Sequence, residues 1–442
     1  MVNIISNKLG ISDLRKIFTA GIKISKDDFY VGAEYERLPI YQDDFSSVKY
    51  HGINGICEFL RLYARNENWD YLLDLDNIIG LKHLHDTITL EPGMQFELSI
   101  KPQKSIQEIE KRLKKFDDSL FQLFDEFGIK LLSYGIYPKT TYKSIPILPK
   151  RRYYLMANYL WGILSDVMMR ETAGIQACFD FDSEEDAMKK FRIANMLVPI
   201  ATAMFANSPI RGCVDSGYKS FRALSWLNTD NDRCGYAFDF NKDSSFNDYI
   251  NKVLDVPLIM INHDEKIYAV NKNITFRKFM EEGYEGLSAD TDNFKLACNL
   301  YFPEVRLRRF IEIRNHDCVG KGLQYSLFAF YKGILYSPNI LDKVDEYLSK
   351  FNKKDYTELR YNVPKLALNA KLSNITIKNI AKDLVQLAKD GLIEQQNDEE
   401  KYLEPLQELV DEGICPADII LKNWYGSWNK NIDKLIEYVS CN

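Results

Sequence analysis

The sequence lacks most of the signposts that fix a function at sight. It has no GxxxxGK[ST] loop and no GxGxxG run, so neither a P-loop nor a Rossmann-type nucleotide site is supported. HExxH and GxSxG are missing too, which removes the helical zinc-protease motif and the serine nucleophile elbow. Five histidines disfavour a metal centre built on imidazole. The eight cysteines are scattered without CxxC spacing and read as reduced thiols rather than a disulfide framework or zinc site. No apolar run reaches the roughly 18 residues of a membrane span. The most apolar stretch, 196–206, is interrupted by Pro199. The opening MVNIISNKLGISDLRK has no sustained apolar core and no small-residue cleavage site, so no signal peptide is expected. Neither sign of charge dominates: 57 Lys plus Arg against 63 Asp plus Glu leave a net −6, which argues against a nucleic-acid surface. The expectation is a cytoplasmic protein that binds neither nucleic acid nor membrane.

What is present suits a large folded body. Apolar residues make up 46% of the chain, and 27 Tyr and 25 Phe can fill an extensive core. Alternating runs mix with amphipathic helices to about residue 330, which predicts an α+β fold. From about 335 onward helical spacing prevails, as in Ile380, Leu384, Leu387 and Ala388. No linker, repeat or low-complexity segment divides the chain, so one domain over 1–442 with a helical C-terminal region is expected.

Four strand-like segments carry chemistry. In FYVGAEYER (29–37), alternation puts Glu34 and Glu36 on one face. Pro92-Gly93 marks a hairpin whose strands can turn Glu91, Gln95 and Glu97 to one side. IQACFDF (175–181) puts Gln176, Cys178 and Asp180 together, and RFIEIR (309–314) groups Glu312 with Arg314. An acidic pair at alternate positions suits the solvated face of an edge strand. It equally suits a sheet that gathers carboxylates around Mg²⁺ or Mn²⁺ shared with substrate phosphates. Arg222 and Arg233, in the polar and aromatic stretch 220–235, can grip a carboxylate or phosphate, or belong to a surface loop. Ser183, followed by Glu184, Glu185 and Asp186, predicts the N-cap of a long helix running to about Asn207, kinked at Pro199. The residues alone point to a metal-dependent enzyme acting on an anionic substrate.

Longer blocks are recognisable. TLEPGMQFELS (89–99) resembles the TLEPGGQFELS signature of the plant and proteobacterial type of glutamate–cysteine ligase. TAGIQ (172–176) with DFDSEE and KFR, the helix PIATAMFANSP (199–209), Trp226 with TDNDRCG (229–235), and FPEVRLRRFIEIR (302–314) are similar to further blocks of that family, in the same order. The resemblance spans about residues 10–440. It implies a glutamine-synthetase-like fold, a curved and mostly antiparallel sheet with the site on its concave face and helices outside. It also implies an ATP-dependent enzyme that phosphorylates the γ-carboxylate of L-glutamate and lets the amine of L-cysteine displace phosphate, the first step toward glutathione, working as a monomer or homodimer. The alternative is a γ-glutamyl ligase for another amine or amino acid.

By position, the resemblance assigns Glu34, Glu36, Glu97 and Glu312 to magnesium, with Glu91 a further candidate. Arg314 falls on the transferring phosphate and, with Glu36, is expected to be catalytic. Arg222 is expected on the glutamate carboxylate, Gln176 shares that face, and Thr229 and Arg233 border the pocket. Two departures bear on the acceptor. Met94 replaces the second Gly of the GGQFELS turn, and Cys178 replaces the Asn of QVN. Both are expected to project into the pocket, bind substrate there and make it more apolar.

Overall fold

The computed structural model describes residues 9–235, 241–264, 266–270 and 274–441. The first eight residues of the opening read above for a signal peptide lie outside them. Nine strands form one sheet: β1 (Val31–Tyr41), β2 (Asp70–Asp74), β3 (Asn77–His83), β4 (Asp86–Leu90), β5 (Phe96–Gln103), β6 (Ile129–Leu132), β7 (Gly174–Phe179), β8 (Val305–Leu307) and β9 (Ile311–Asp317). Their order is β8-β9-β7-β1-β5-β4-β3-β2, with β6 pairing the end of β1, and every pairing is antiparallel. The α+β expectation holds.

Register decides which side chains meet. Residues directly opposite in an antiparallel pair share a face of the sheet. Glu34 lies opposite Gln176 on one side and Ser99 on the other, and Glu36 lies opposite Glu97. Thr89 faces Glu97, Glu312 faces Cys178, and Arg306 faces Glu312. One face is therefore charged from β8 to β4. The alternate residues (Ala33, Tyr35, Leu98, Ile175, Ala177, Ile311 and Ile313) are buried and apolar. Helices including Ile106–Glu126 and Leu323–Leu335 cover that rear face.

The helix at Glu184–Met204 begins as expected, with Ser183 Oγ accepting from the Asp186 amide at 3.0 Å. It contains Pro199 and stops before Asn207, whose amide donates instead to the buried Asp317 carboxylate at 2.8 Å. The stretch from 220 is not a surface loop. Ser220 caps a helix, Phe221–Leu227, that carries Arg222 inward. All eight cysteines are unpaired. Among the described residues no helix is long and apolar enough to cross a membrane.

Met94 ends the β4–β5 turn with φ at 62°, a conformation that favours glycine, and its side chain is wholly buried in the core. Two effects oppose each other in Met94→Gly. The backbone relaxes by ~1 kcal/mol, while a thioether-sized cavity costs ~2–5 kcal/mol. The variant is expected to lose about 1–4 kcal/mol in denaturant unfolding. A gain in stability would show that the turn strain outweighs the packing.

Candidate active site

The charged face opens on a cleft of about 1220 Å³ lined by Glu34, Glu36, Glu91, Glu97, Glu312, Gln176, Arg222 and Arg314. Sequence reasoning brought these eight together; strand register places Glu34, Glu36, Glu97, Gln176, Glu312 and Arg314, the β4–β5 turn brings Glu91, and the Phe221–Leu227 helix brings Arg222. Glu36 accepts from the Gly174 amide at 2.5 Å and from Gln176 Nε2 at 3.2 Å. Gln176 turns its Oε1 to Arg314 Nη1 at 2.8 Å, so one amide bridges the guanidinium and the carboxylate. Glu97 is held by the Thr89 hydroxyl at 2.7 Å. Arg222 is buried and donates to the Arg314 carbonyl at 3.0 Å, while its Nε has no partner among the described residues. A β-carbon at residue 174 would lie 2.5 Å from Arg222 Nη2, so only glycine leaves room for the guanidinium.

Burial and crowding set the ionisation of the carboxylates. Burial, then the neighbouring Glu312, pushes Glu34 up to about 7, although Arg314 and Arg306 oppose the shift. Burial raises Glu36 to about 6 against the pull of Arg222. Glu97 is raised well above the usual range by burial and by Glu34, Glu91 and Glu36. Glu312 is the exception. Burial disfavours its charge, but Arg306 and Arg314 bring it down to about 2. Arg306 grips it with two nitrogens, Nη2 at 2.9 Å and Nε closer still.

The five glutamates share the cleft, yet among the described residues no three acidic, histidine or cysteine side chains converge to enclose an ion. Mutual repulsion and existing partners explain this. Glu36 is turned to Gly174, Glu97 to Thr89, and Glu312 to Arg306.

Four expectations are corrected. Met94 does not project into the cleft, because the left-handed turn sends its side chain into the core. Cys178 lines a neighbouring cavity of about 950 Å³ beyond Glu34 instead of the cleft around Arg222. Thr229 is buried and donates to the Ser225 carbonyl at 2.8 Å, as a side chain just past a helix end does. Arg233 is spent on structure: Nε on Asp230 at 2.7 Å, Nη1 on the Leu300 carbonyl and Nη2 on the Pro257 carbonyl.

Several lining residues were overlooked, namely Lys150, Arg152, Tyr153, Trp226, Arg306 and Arg308. Strict alternation through VRLRR would have put Arg306 and Arg308 on the face of Glu312. The basic run at 150–152 had no such signal, since it reaches the cleft from a helix, Arg151–Tyr159, and the residue before it.

A cleft that sets half-buried carboxylates against guanidiniums on one sheet face defines an enzyme for anionic substrates that need charge neutralisation. The model of glutamate-cysteine ligase family 2 matches residues 30–437, and the chain belongs to that family. It is 34% identical over 431 residues to a chloroplastic glutamate–cysteine ligase of Nicotiana tabacum, covering 96% of this chain and 82% of that one. The Arabidopsis thaliana enzyme is 33% identical with the same coverage, and the B enzyme of Oryza sativa subsp. japonica is 32% identical over 96% and 86%. Among solved structures, a Francisella tularensis glutamate–cysteine ligase in complex with AMP matches with a TM-score of 0.58 at 15% identity, covering 93% of this chain and 87% of that one. A bifunctional glutathione synthetase of Pasteurella multocida matches with a TM-score of 0.52 at 10% identity, over 94% and 51%. These two show the shared fold. The cytoplasmic expectation is overturned, since the sequence relatives are chloroplastic enzymes. Reduced thiols mark a reducing compartment and do not distinguish one such compartment from another.

The raised carboxylates make a stability prediction. A raised folded-state value means the native chain holds protons that the unfolded chain has released. Metal-free stability should therefore fall as pH rises from 4.5, the ordinary glutamate value, through about 7. Glu97→Gln should stabilise the metal-free chain at mildly alkaline pH, because it removes a charge that burial and the neighbouring Glu34, Glu91 and Glu36 disfavour. Thermal unfolding in chelator checks both, and a destabilised Glu97→Gln would show that the charge is already compensated.

Proposed function

We propose that this chain is an ATP-dependent ligase that joins the γ-carboxylate of L-glutamate to the amine of L-cysteine, the first step of glutathione synthesis. The observation that carries the reading is the single cleft in which Glu34, Glu36, Glu97 and Glu312 face Arg222 and Arg314. A free carboxylate is too poor an acylating group to form an amide in water. The γ-carboxylate oxygen therefore attacks the terminal phosphorus of ATP, the bond to the β-phosphate oxygen breaks, and ADP leaves. The cysteine nitrogen then attacks the acyl carbon, the carbon–oxygen bond to phosphate breaks, and the ammonium proton is lost to the surroundings.

The residues divide this work. Arg222 is assigned to a glutamate carboxylate, because its guanidinium lines the cleft and is tied among the described residues only through Nη2, to the Arg314 carbonyl. Arg314 is assigned to the phosphoryl group in flight, where a fixed guanidinium offsets developing charge. Gln176 is a positioning residue that fixes Arg314 relative to Glu36. The oxygen-only donors Glu34, Glu36 and Glu97, crowded and short of cations, fit Mg²⁺, with Glu312 and Glu91 at the margin. When bound, magnesium neutralises phosphate charge and lets the carboxylates ionise together. Glu36 is assigned to that set, held in place by Gly174. Met94 and Cys178 lie outside the Arg222 cleft, so neither argues for an acceptor other than cysteine.

Arg222→Lys cannot reproduce bidentate geometry, so the Michaelis constant for glutamate should rise about 10- to 100-fold with that for ATP little changed. Equal effects on both substrates would put Arg222 on phosphate. The function itself is tested by ADP release with a panel of amines, with products read by mass spectrometry. Release should require glutamate and yield γ-glutamylcysteine in preference to other amides. ADP release that ignores glutamate, or a product built on another amine, would refute the reading.

A further inference from the structure

Lys150, Arg152 and Arg308 stand on the wall of the ligation cleft, half-buried and lining its open space. They reach it from separate elements. Lys150 precedes the helix Arg151–Tyr159, Arg152 lies in its first turn, and Arg308 follows β8. A further element ties the guanidiniums together. Asn299, the last residue of the helix Thr291–Asn299, accepts on its carbonyl from Arg152 at 3.2 Å and from Arg306 at 3.3 Å. Its Oδ1 accepts from Arg308 Nη2 at 2.7 Å. A helix C-terminus favours cations, so an uncharged residue can gather them there.

Little of the charge on this wall is spent. Lys150 rests its ammonium over the Tyr153 ring at 4.6 Å, and among the described residues neither it nor Arg152 forms an ion pair. Arg308 Nη1 stands 3.6 Å from Glu312, but Arg306 already grips that carboxylate with two nitrogens. Like charges held together disfavour one another. Burial lowers the pKa of Lys150, and Arg152 adds to the shift against the pull of Glu91. Burial lowers Arg152 as well, with Arg306 and Arg308 pushing the same way. An anion lying along the wall would relieve all of them.

We propose, resting on the ATP-dependent function above, that Lys150, Arg152 and Arg308 seat the α- and β-phosphates of the nucleotide, with Asn299 a positioning residue that holds Arg308 at the wall. Those phosphates stay charged throughout the transfer, and Arg314 is assigned only to the group in flight. The wall supplies cations that the carboxylate floor cannot. An acceptor carboxylate is served by one guanidinium, whereas cations drawn from separate elements suit an extended polyanion.

The test is calorimetric titration of the full chain with ADP in the presence of Mg²⁺, beside steady-state kinetics. Lys150→Gln, Arg152→Gln and Arg308→Gln should each weaken ADP and raise the Michaelis constant for ATP about tenfold, with those for glutamate and cysteine little changed. Asn299→Ala frees Arg308, so it should weaken ADP less than Arg308→Gln does and add nothing in the double variant. Additive losses would refute the positioning role. If Arg152→Gln does not fold, Lys150→Gln and Arg308→Gln carry the test. A chain that binds ADP but makes no γ-glutamyl amide would refute the ligase function, and weaker ADP binding in the variants would still support the phosphate seat. The seat is overturned if the unaltered chain does not bind ADP, or if affinity is unchanged in every variant that folds. It is also overturned if the Michaelis constant for cysteine rises in place of that for ATP, which would put the wall on the acceptor carboxylate.

Discussion

Glu36 on β1 and Glu97 on β5 stand directly opposite each other on the floor of the cleft, half-buried, with Glu34 one step along the strand. Like charges at facing positions destabilise a sheet, and burial makes the repulsion worse. The fold tolerates the arrangement because the rear of the same strands packs an apolar layer against helices. The front supplies hydrogen bonds from Gly174, Gln176 and Thr89 without neutralising the charge. Partial satisfaction has a chemical consequence. Glu34 is pushed up to about 7, Glu36 to about 6, and Glu97 well above its usual range, instead of being locked into ion pairs, so they can take up cations. Glu312, by contrast, is already matched by Arg306 and stays ionised.

The guanidiniums follow the same economy. Arg314 reaches Glu36 only through Gln176, and Arg222 rests on the Arg314 carbonyl. These links hold the two cations off Glu36, while Arg314 Nη1 also pairs with Glu312 at 3.6 Å. Gly174 is the pivot. Its amide holds Glu36, and its missing side chain makes the space that Arg222 fills.

Much of this was legible in the sequence, because strand alternation is a short-range rule. Glu34 with Glu36, Glu97 on the Pro92-Gly93 hairpin, and Glu312 with Arg314 all follow from period-two spacing, and each lands in the cleft. Apart from Cys178, which is on a strand, the failures have a common cause, since they depended on where a turn or loop aims a side chain. Met94 was expected in the pocket because a glycine was missing from a turn, but a left-handed φ turns the side chain into the core. Arg233 was expected beside Arg222 through proximity in sequence. The helix at 221–227 ends between them, and the turn after it commits all the Arg233 nitrogens to backbone and Asp230. Lys150 and Arg152 enter from a separate helix, a tertiary fact that no local spacing encodes.

The central claim is that this cleft activates a carboxylate by phosphorylating it, and the fate of one oxygen atom tests that most directly. Glutamate labelled with oxygen-18 in its γ-carboxylate is turned over with ATP and cysteine, and the released phosphate is analysed by mass spectrometry. If the γ-carboxylate attacks phosphorus and the acyl carbon–oxygen bond later breaks, each amide formed must leave one labelled oxygen in inorganic phosphate. Unlabelled phosphate, or label released in AMP, would contradict an acyl phosphate and with it the roles given to Arg314 and the carboxylate face.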